Sequence, residues 1–184
     1  MKRTWVAAVT FACVVTFPLM ASERGGVYIL GSHESQVIYK NRIGNAWGSL
    51  FFLPKGGKEF SLYANANLIS LLFEESNSED FSRDKNYLMV HKIEHATLSS
   101  GDGQDESVER YYCSFIDMRS GCIVRENTGE FCGGAWGEMD GEWISGGNSN
   151  HIDERQNLSR SQNDRRNYFD TFADDDNFRR CLPR

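Results

Sequence analysis

The chain has only one long apolar run, and that run lies at the very N-terminus. Lys2 and Arg3 precede an apolar stretch that ends at Met20, and the small residue Ala21 follows it. The stretch is shorter than the roughly 20 apolar residues that a membrane-spanning helix needs. We therefore predict a secretory signal peptide at residues 1–21 and no membrane insertion anywhere in the chain.

Basic residues are scarce relative to acidic ones, with 20 Lys and Arg against 26 Asp and Glu. Removing residues 1–21 takes away Lys2 and Arg3 but no acid, which leaves 18 basic and 26 acidic residues and a formal charge of −8. Such a surface repels phosphate backbones and anionic lipids, because both are bound through Lys and Arg. We expect neither nucleic acid nor a membrane surface as a partner.

Three common signatures of enzymes are missing from the sequence: a G-x-S-x-G nucleophile elbow, a glycine-rich phosphate loop and a C-x2-C metal pair. The mature chain instead has four cysteines, and an even number in an exported protein predicts two disulfides. We favour a bridge from Cys113 to either Cys132 or Cys122, with the remaining cysteine joined to Cys181. That last bridge would hold a terminus that has few other contacts.

Short runs of β-branched and aromatic residues, broken by turn residues, dominate the rest of the chain. A helix is predicted at Leu68–Ser76, where Asn67 is a suitable cap and leucines recur at helical spacing. The predicted strands are Val27–Leu30 and Gln36–Tyr39 as a hairpin, Ser49–Leu53, Phe60–Ala64 and the long run Asn86–Leu98, which is followed by a loop at Ser99–Ser107.

The segment Tyr111–Ser145 holds three of the cysteines and two tryptophans, and Ser120-Gly121, Thr128-Gly129 and Asp140-Gly141 interrupt it as turns. The sequence therefore predicts an α+β fold made mainly of antiparallel β-sheet, with one or two short helices and a disulfide framework. An all-β sandwich is the alternative.

The character of the chain changes near residue 150. Gly146–Asn150 is predicted as a linker that separates a β-rich domain (22–150) from a polar C-terminal segment (151–184). This segment is rich in Arg and Asp, which suits either a solvated helix or a loose tail. We expect Phe169, Phe172 and Phe178 to pack near Cys181 and so to anchor the C-terminal segment.

One short motif resembles the inverzincin metallopeptidases: His91-Lys92-Ile93-Glu94-His95 matches their H-x-x-E-H pattern. The resemblance implies that His91 and His95 bind zinc on one face of a helix and that Glu94 acts as general base. Glu106 or Glu109 would then supply a third ligand.

The same five residues also fit the period of a strand. A strand would place His91 and His95 on one face and Glu94 on the other, which separates the base from the metal. In that interpretation the histidines belong to a solvated or partner-facing surface.

Two tryptophans near the end of the segment Tyr111–Ser145 form the second candidate site. If Asp140-Gly141 is the centre of a two-residue turn, Glu138 lies opposite Trp143, and Trp136 shares their face. Indoles beside a carboxylate are typical of a sugar- or peptide-binding surface. The alternative is a tryptophan pair packed over a disulfide in the core.

Taken together, these features predict an exported, non-catalytic protein-binding domain of the inhibitor or immunity-protein kind, without a cofactor. A basic partner protein is favoured, since opposite charges raise association rates. The alternatives are a zinc-dependent hydrolase using His91, Glu94 and His95, and a glycan- or cell-wall-binding module using Trp136 and Trp143. The short leader favours the periplasm over the extracellular space.

Overall fold

The computed structural model describes residues 25–64, 71–99, 105–153 and 175–182. The predicted signal peptide lies outside these ranges. Within them the chain forms eleven β-strands and one α-helix: β1 (Val27–Leu30), β2 (Gln36–Ile43), β3 (Ala46–Leu53), β4 (Phe60–Ser61), β5 (Leu71–Phe73), β6 (Tyr87–Ser99), β7 (Asp105–Asp117), β8 (Cys122–Thr128), β9 (Ala135–Trp136), β10 (Glu142–Ser145), β11 (Asn148–His151) and α1 (Asp175–Cys181).

The strands form two antiparallel sheets, which confirms the predicted α+β fold dominated by antiparallel β-structure. The large sheet has the order β1-β2-β3-β5-β6-β7-β8, with β4 paired to β3, and the small sheet has the order β11-β10-β9. Neighbours in the large sheet follow one another along the chain, so short turns suffice to connect most of them.

The predicted hairpin of β1 and β2 is confirmed, with Val27 opposite Tyr39 and Leu30 opposite Gln36. The predicted strands in β3 and β6 are also present, because runs of apolar and β-branched residues with turn residues beside them specify them locally. The strand predicted at Phe60–Ala64 is shorter than expected, since only Phe60 and Ser61 pair with β3.

The predicted helix at Leu68–Ser76 is wrong wherever it falls on described residues; Leu68–Ser70 lie outside them. Leu71–Phe73 form β5, which pairs with β6 on one side and with β3 at Trp47 on the other. Leu71 and Phe73 are buried while Leu72 between them is only half-buried. The space between β3 and β6 in the sheet favours this two-residue period over the local helical spacing.

Both faces of the large sheet are buried where β6, β7 and β8 meet. On the first face Leu88, Val90 and Ile116 join the main core with side chains of β2, β3 and β5. On the opposite face Met89 and Phe115 pack beneath the small sheet and α1. The run Leu88-Met89-Val90 is apolar throughout because each side chain faces one of two cores.

Two disulfides join these layers: Cys113–Cys132, with 5.4 Å between the Cα atoms, and Cys122–Cys181, with 5.0 Å. This pairing is one of those favoured from the sequence. Cys181 lies in α1, and Phe178 of the same helix is buried in the second core. The predicted anchoring role of Phe178 is therefore confirmed, whereas Phe169 and Phe172 lie outside the described residues.

The segment predicted as a linker belongs to the fold. Gly146 and Gly147 form the turn between β10 and β11, and both have positive φ angles, a conformation that glycine adopts without strain. Strand β11 crosses the boundary expected at residue 150, and Ile152 after it is buried in the second core.

Candidate functional site

The long hairpin of β6 and β7 extends past the strands that flank it among the described residues. The two strands pair over thirteen positions, from Tyr87 opposite Asp117 to Ser99 opposite Asp105. Among the described residues, β5 pairs with β6 only as far as Glu94, and β8 pairs with β7 only from Tyr112. Residues 95–99 and 105–111 thus form a two-stranded part of the hairpin that no described strand flanks, which we name the ribbon.

Most described side chains of the ribbon are exposed, and its sequence is acidic. The ribbon contains three acids (Asp105, Glu106 and Glu109) and one base (Arg110), a formal charge of −2. Tyr111 at the base of the ribbon is 56% exposed. The ribbon therefore combines a negative charge with an exposed aromatic ring.

Contacts across the ribbon connect three of its polar side chains. The Nδ1 atom of His95 lies 3.4 Å from Oε1 of Glu109. The Tyr111 hydroxyl donates a hydrogen bond of 2.9 Å to the other carboxylate oxygen, and this bond raises the pKa of Tyr111. Glu109, proposed from the sequence as a metal ligand, is therefore already held by two neighbours.

The H-x-x-E-H residues lie on strand β6 and not on a helix. Positions four apart on a strand are separated by about 13 Å, so His91 and His95 cannot both bind one zinc ion. Glu94 lies on the opposite face, where its carboxylate is 4.0 Å from Nζ of Lys92. The helical arrangement of the inverzincins is therefore absent, and a zinc site at either histidine would need other ligands.

Beneath the base of the ribbon lies a buried polar cluster that sequence reasoning missed. Lys92, only 5% exposed, forms an ion pair and hydrogen bond with Glu126 of β8. Ser114 donates to Glu126 over 3.1 Å, and the Tyr63 hydroxyl donates to Ser114 over 2.6 Å. The Lys92 ammonium also lies 4.6 Å from the ring centre of Tyr112.

Burial sets the protonation behaviour of this cluster. It raises the pKa of Glu126, and the hydrogen bonds and positive charge of Lys92 act in the other direction. Burial, helped by the nearby charge of Glu126, also raises the pKa of Tyr63 well above its usual value. The only sequence signal was a lysine within an otherwise strand-like run, and Glu126 lies 34 positions away.

The tryptophan hairpin has a different register from the prediction. Trp136 lies directly opposite Trp143, so Glu138 belongs to the connecting loop and does not face Trp143. Asp140-Gly141 is the centre of a turn, as predicted, because the Glu142 amide donates to the Met139 carbonyl over 3.1 Å. The strand pairing, however, begins further from this turn than predicted, and the Gly137 amide donates to the Glu142 carbonyl. The register differs from the prediction by two positions, and side chains two positions apart on a strand share a face, so the two indoles still lie on the same face.

The two indoles pack in the second core. Trp143 is only 1% exposed and donates its Nε1 hydrogen to the Phe131 carbonyl over 2.7 Å. Trp136 is half-buried, lies 5.1 Å from Trp143 edge to face, and donates to the Asp80 carbonyl over 2.8 Å. Trp143 offers no ring surface to a ligand in this structure, and a binding role for Trp136 and Glu138 stays a prediction.

The described residues contain neither a cluster of metal-binding side chains nor a membrane-spanning helix. No three His, Cys, Asp or Glu side chains there converge in a way that would hold a metal ion. Likewise, no helix in the described part of the chain has the length and apolar composition to cross a bilayer.

Comparisons with protein-family models, with curated proteins and with solved structures found no match to this chain.

Proposed function

We propose that this chain is an exported, non-catalytic protein-binding domain that recognises a basic partner protein through the ribbon. The observation that carries the proposal is the extension of β6 and β7 beyond the described residues of β5 and β8, together with the exposed acidic side chains and Tyr111 in this extension. Two-stranded ribbons are marginally stable alone, so a rigid sheet at their base is needed to hold them in place.

The base of the ribbon supplies that rigidity. Lys92 and Glu126 connect β6 to β8 across β7, and the Cys113–Cys132 disulfide holds β7 to the segment after β8. A pre-ordered recognition element loses less conformational entropy on binding than a flexible one. The acidic charge then favours a basic surface, mainly by accelerating association.

The test is a charge reversal on the ribbon. The purified exported protein and its Glu106→Lys, Glu109→Lys double variant are each used to capture partners from the native host. The association rate with the captured protein is then measured at several salt concentrations. We expect the variant to associate at least about tenfold more slowly, with a weaker salt dependence.

A matched control carries the same charge change elsewhere: Glu79→Lys with Glu130→Lys, two exposed acids outside the ribbon. Equal slowing in the two double variants would show that net charge, and not the ribbon, determines association. Hydrogen exchange of the wild-type complex gives a second readout, because protection is expected in residues 105–111. Unchanged exchange there would contradict the proposal.

Metal analysis of the purified protein distinguishes the zinc-hydrolase alternative from the non-catalytic binding domain. Stoichiometric zinc that disappears in a His91→Ala, His95→Ala variant would contradict the non-catalytic assignment.

A further inference from the structure

The two edge strands of the large sheet, β8 and β1, differ in what covers their backbone groups. At the β8 edge the side chain of Asn177 in α1 accepts from the Ile123 amide over 2.8 Å and donates to the Ile123 carbonyl over 3.2 Å. This amide thus replaces a neighbouring strand, and the Cys122–Cys181 disulfide fixes it there. At the opposite edge, no described residue pairs with the outer side of β1.

The direction of the backbone groups in β1 follows from one hydrogen bond. The Gly31 amide donates to the Ser35 carbonyl, on the side of β2. Because these groups alternate along an antiparallel strand, those of Val27 and Ile29 also face β2, and those of Tyr28 and Leu30 face outward. Two amides and two carbonyls therefore point away from the sheet.

The side chains of the same two residues are among the most exposed large apolar groups in the described part of the large sheet. Tyr28 is 59% and Leu30 is 56% exposed, whereas Val27 and Ile29 pack against the main core. Natural edge strands are usually protected by charge, proline, a bulge or a covering element. β1 has the sequence Val-Tyr-Ile-Leu and carries no charge or proline.

We propose that β1 is a self-association edge, at which a second copy of this chain adds its own β1 in antiparallel orientation. A twofold axis through Ile29 places Tyr28 of each copy opposite Leu30 of the other, so the outward amides and carbonyls pair in four hydrogen bonds. Ile29 meets Ile29 on the core side, and Tyr28 meets Leu30 on the outer face.

Self-complementarity is the reason for choosing a second copy over another partner. Antiparallel pairing keeps opposite residues on the same face, and the pattern of β1 is unchanged when it is reversed about Ile29. The resulting isologous dimer is closed and leaves no free edge at β1. Its contact is small and both copies are acidic, so we expect weak dimers that strengthen with salt.

The test measures the molecular mass of the purified exported protein by sedimentation equilibrium over a concentration series. We expect a monomer–dimer equilibrium whose dissociation constant rises at least about tenfold in Tyr28→Lys, Leu30→Lys, which places charges across the interface. Met139→Lys, at an exposed loop residue, is the control and should leave it unchanged.

Cross-linking tests the register independently of the lysine variants. In Ile29→Cys the two introduced thiols face each other across the twofold axis and should form an intermolecular disulfide under mild oxidation. In Val27→Cys, on the same face of β1, they lie about four residues apart along the strands, roughly 13 Å, and should not. The proposal is overturned if the protein stays monomeric at every concentration, which is also the result expected if β1 pairs with a different protein. It is likewise overturned if the two cysteine variants cross-link equally.

Discussion

Lys92 is a lysine in the interior of the large sheet, and its neighbours explain why it is tolerated there. Its ammonium group has the carboxylate of Glu126 as a partner and the ring of Tyr112 beside it. Glu126 is almost equally buried, with 7% of its side chain exposed, and it also accepts from Ser114. Removing one member of such a pair leaves the other charge uncompensated in a medium that solvates it poorly.

This pair gives the prediction at the scale of single residues. Lys92→Met should lower the free energy of unfolding by about 3–5 kcal/mol, and Lys92→Met with Glu126→Leu should recover most of that loss. Urea denaturation of the single and double variants measures both. The control is Lys40→Met, which breaks the more exposed pair with Glu59 and should cost about 1 kcal/mol or less.

If Lys92→Met is no more destabilising than Lys40→Met, Glu126 does not carry a buried charge that depends on Lys92.

At the scale of secondary-structure elements, α1 protects the end of the large sheet. The helix is only seven residues long, and it covers the β8 edge through one side chain, Asn177, which is buried. Its amide is both donor and acceptor, so it satisfies the amide and the carbonyl of Ile123 together.

Asn177→Ala should therefore leave two buried backbone groups of Ile123 without partners. We expect a loss of about 1–3 kcal/mol in the free energy of unfolding and faster hydrogen exchange of the Ile123 amide. Asp176→Ala, an exposed change on the same helix that removes an ion pair with Arg179, is the control and should leave that amide protected. Unchanged exchange in Asn177→Ala would contradict the covering role of α1.

At the scale of the whole molecule, the disulfides hold together a sheet that is buried on both faces. Cys113–Cys132 spans 19 positions and Cys122–Cys181 spans 59, and both contribute cysteines to the second core. A bridge that closes a longer loop restricts the unfolded chain more strongly. The bridge to α1 also keeps the helix against β8.

We predict that replacing Cys122 and Cys181 by Ala lowers the free energy of unfolding by about 1 kcal/mol more than replacing Cys113 and Cys132, from the difference in loop length. The two double variants serve as each other's controls in urea denaturation under non-reducing conditions. The opposite order would indicate that local packing around Cys113 outweighs loop entropy.

The sequence by itself determined the features that depend on neighbouring residues. Short runs of β-branched and aromatic residues indicated β1, β2 and β6, Gly121 and Gly141 marked turns, and an even number of cysteines predicted the disulfides. Gly121 shows why such signals are dependable: its φ angle is +70°, and an added Cβ would lie 2.7 Å from the Phe52 ring, so no other residue fits this turn.

Only the tertiary structure decided features that depend on distant partners. Leu71–Phe73 are a strand because β3 and β6 leave a place for them, although the local spacing favours a helix. The tryptophan register follows from packing in the second core, and the Lys92–Glu126 pair joins residues 34 positions apart. Periodicity cannot encode such contacts, because the free energy that selects them comes from burial between elements that meet only after folding.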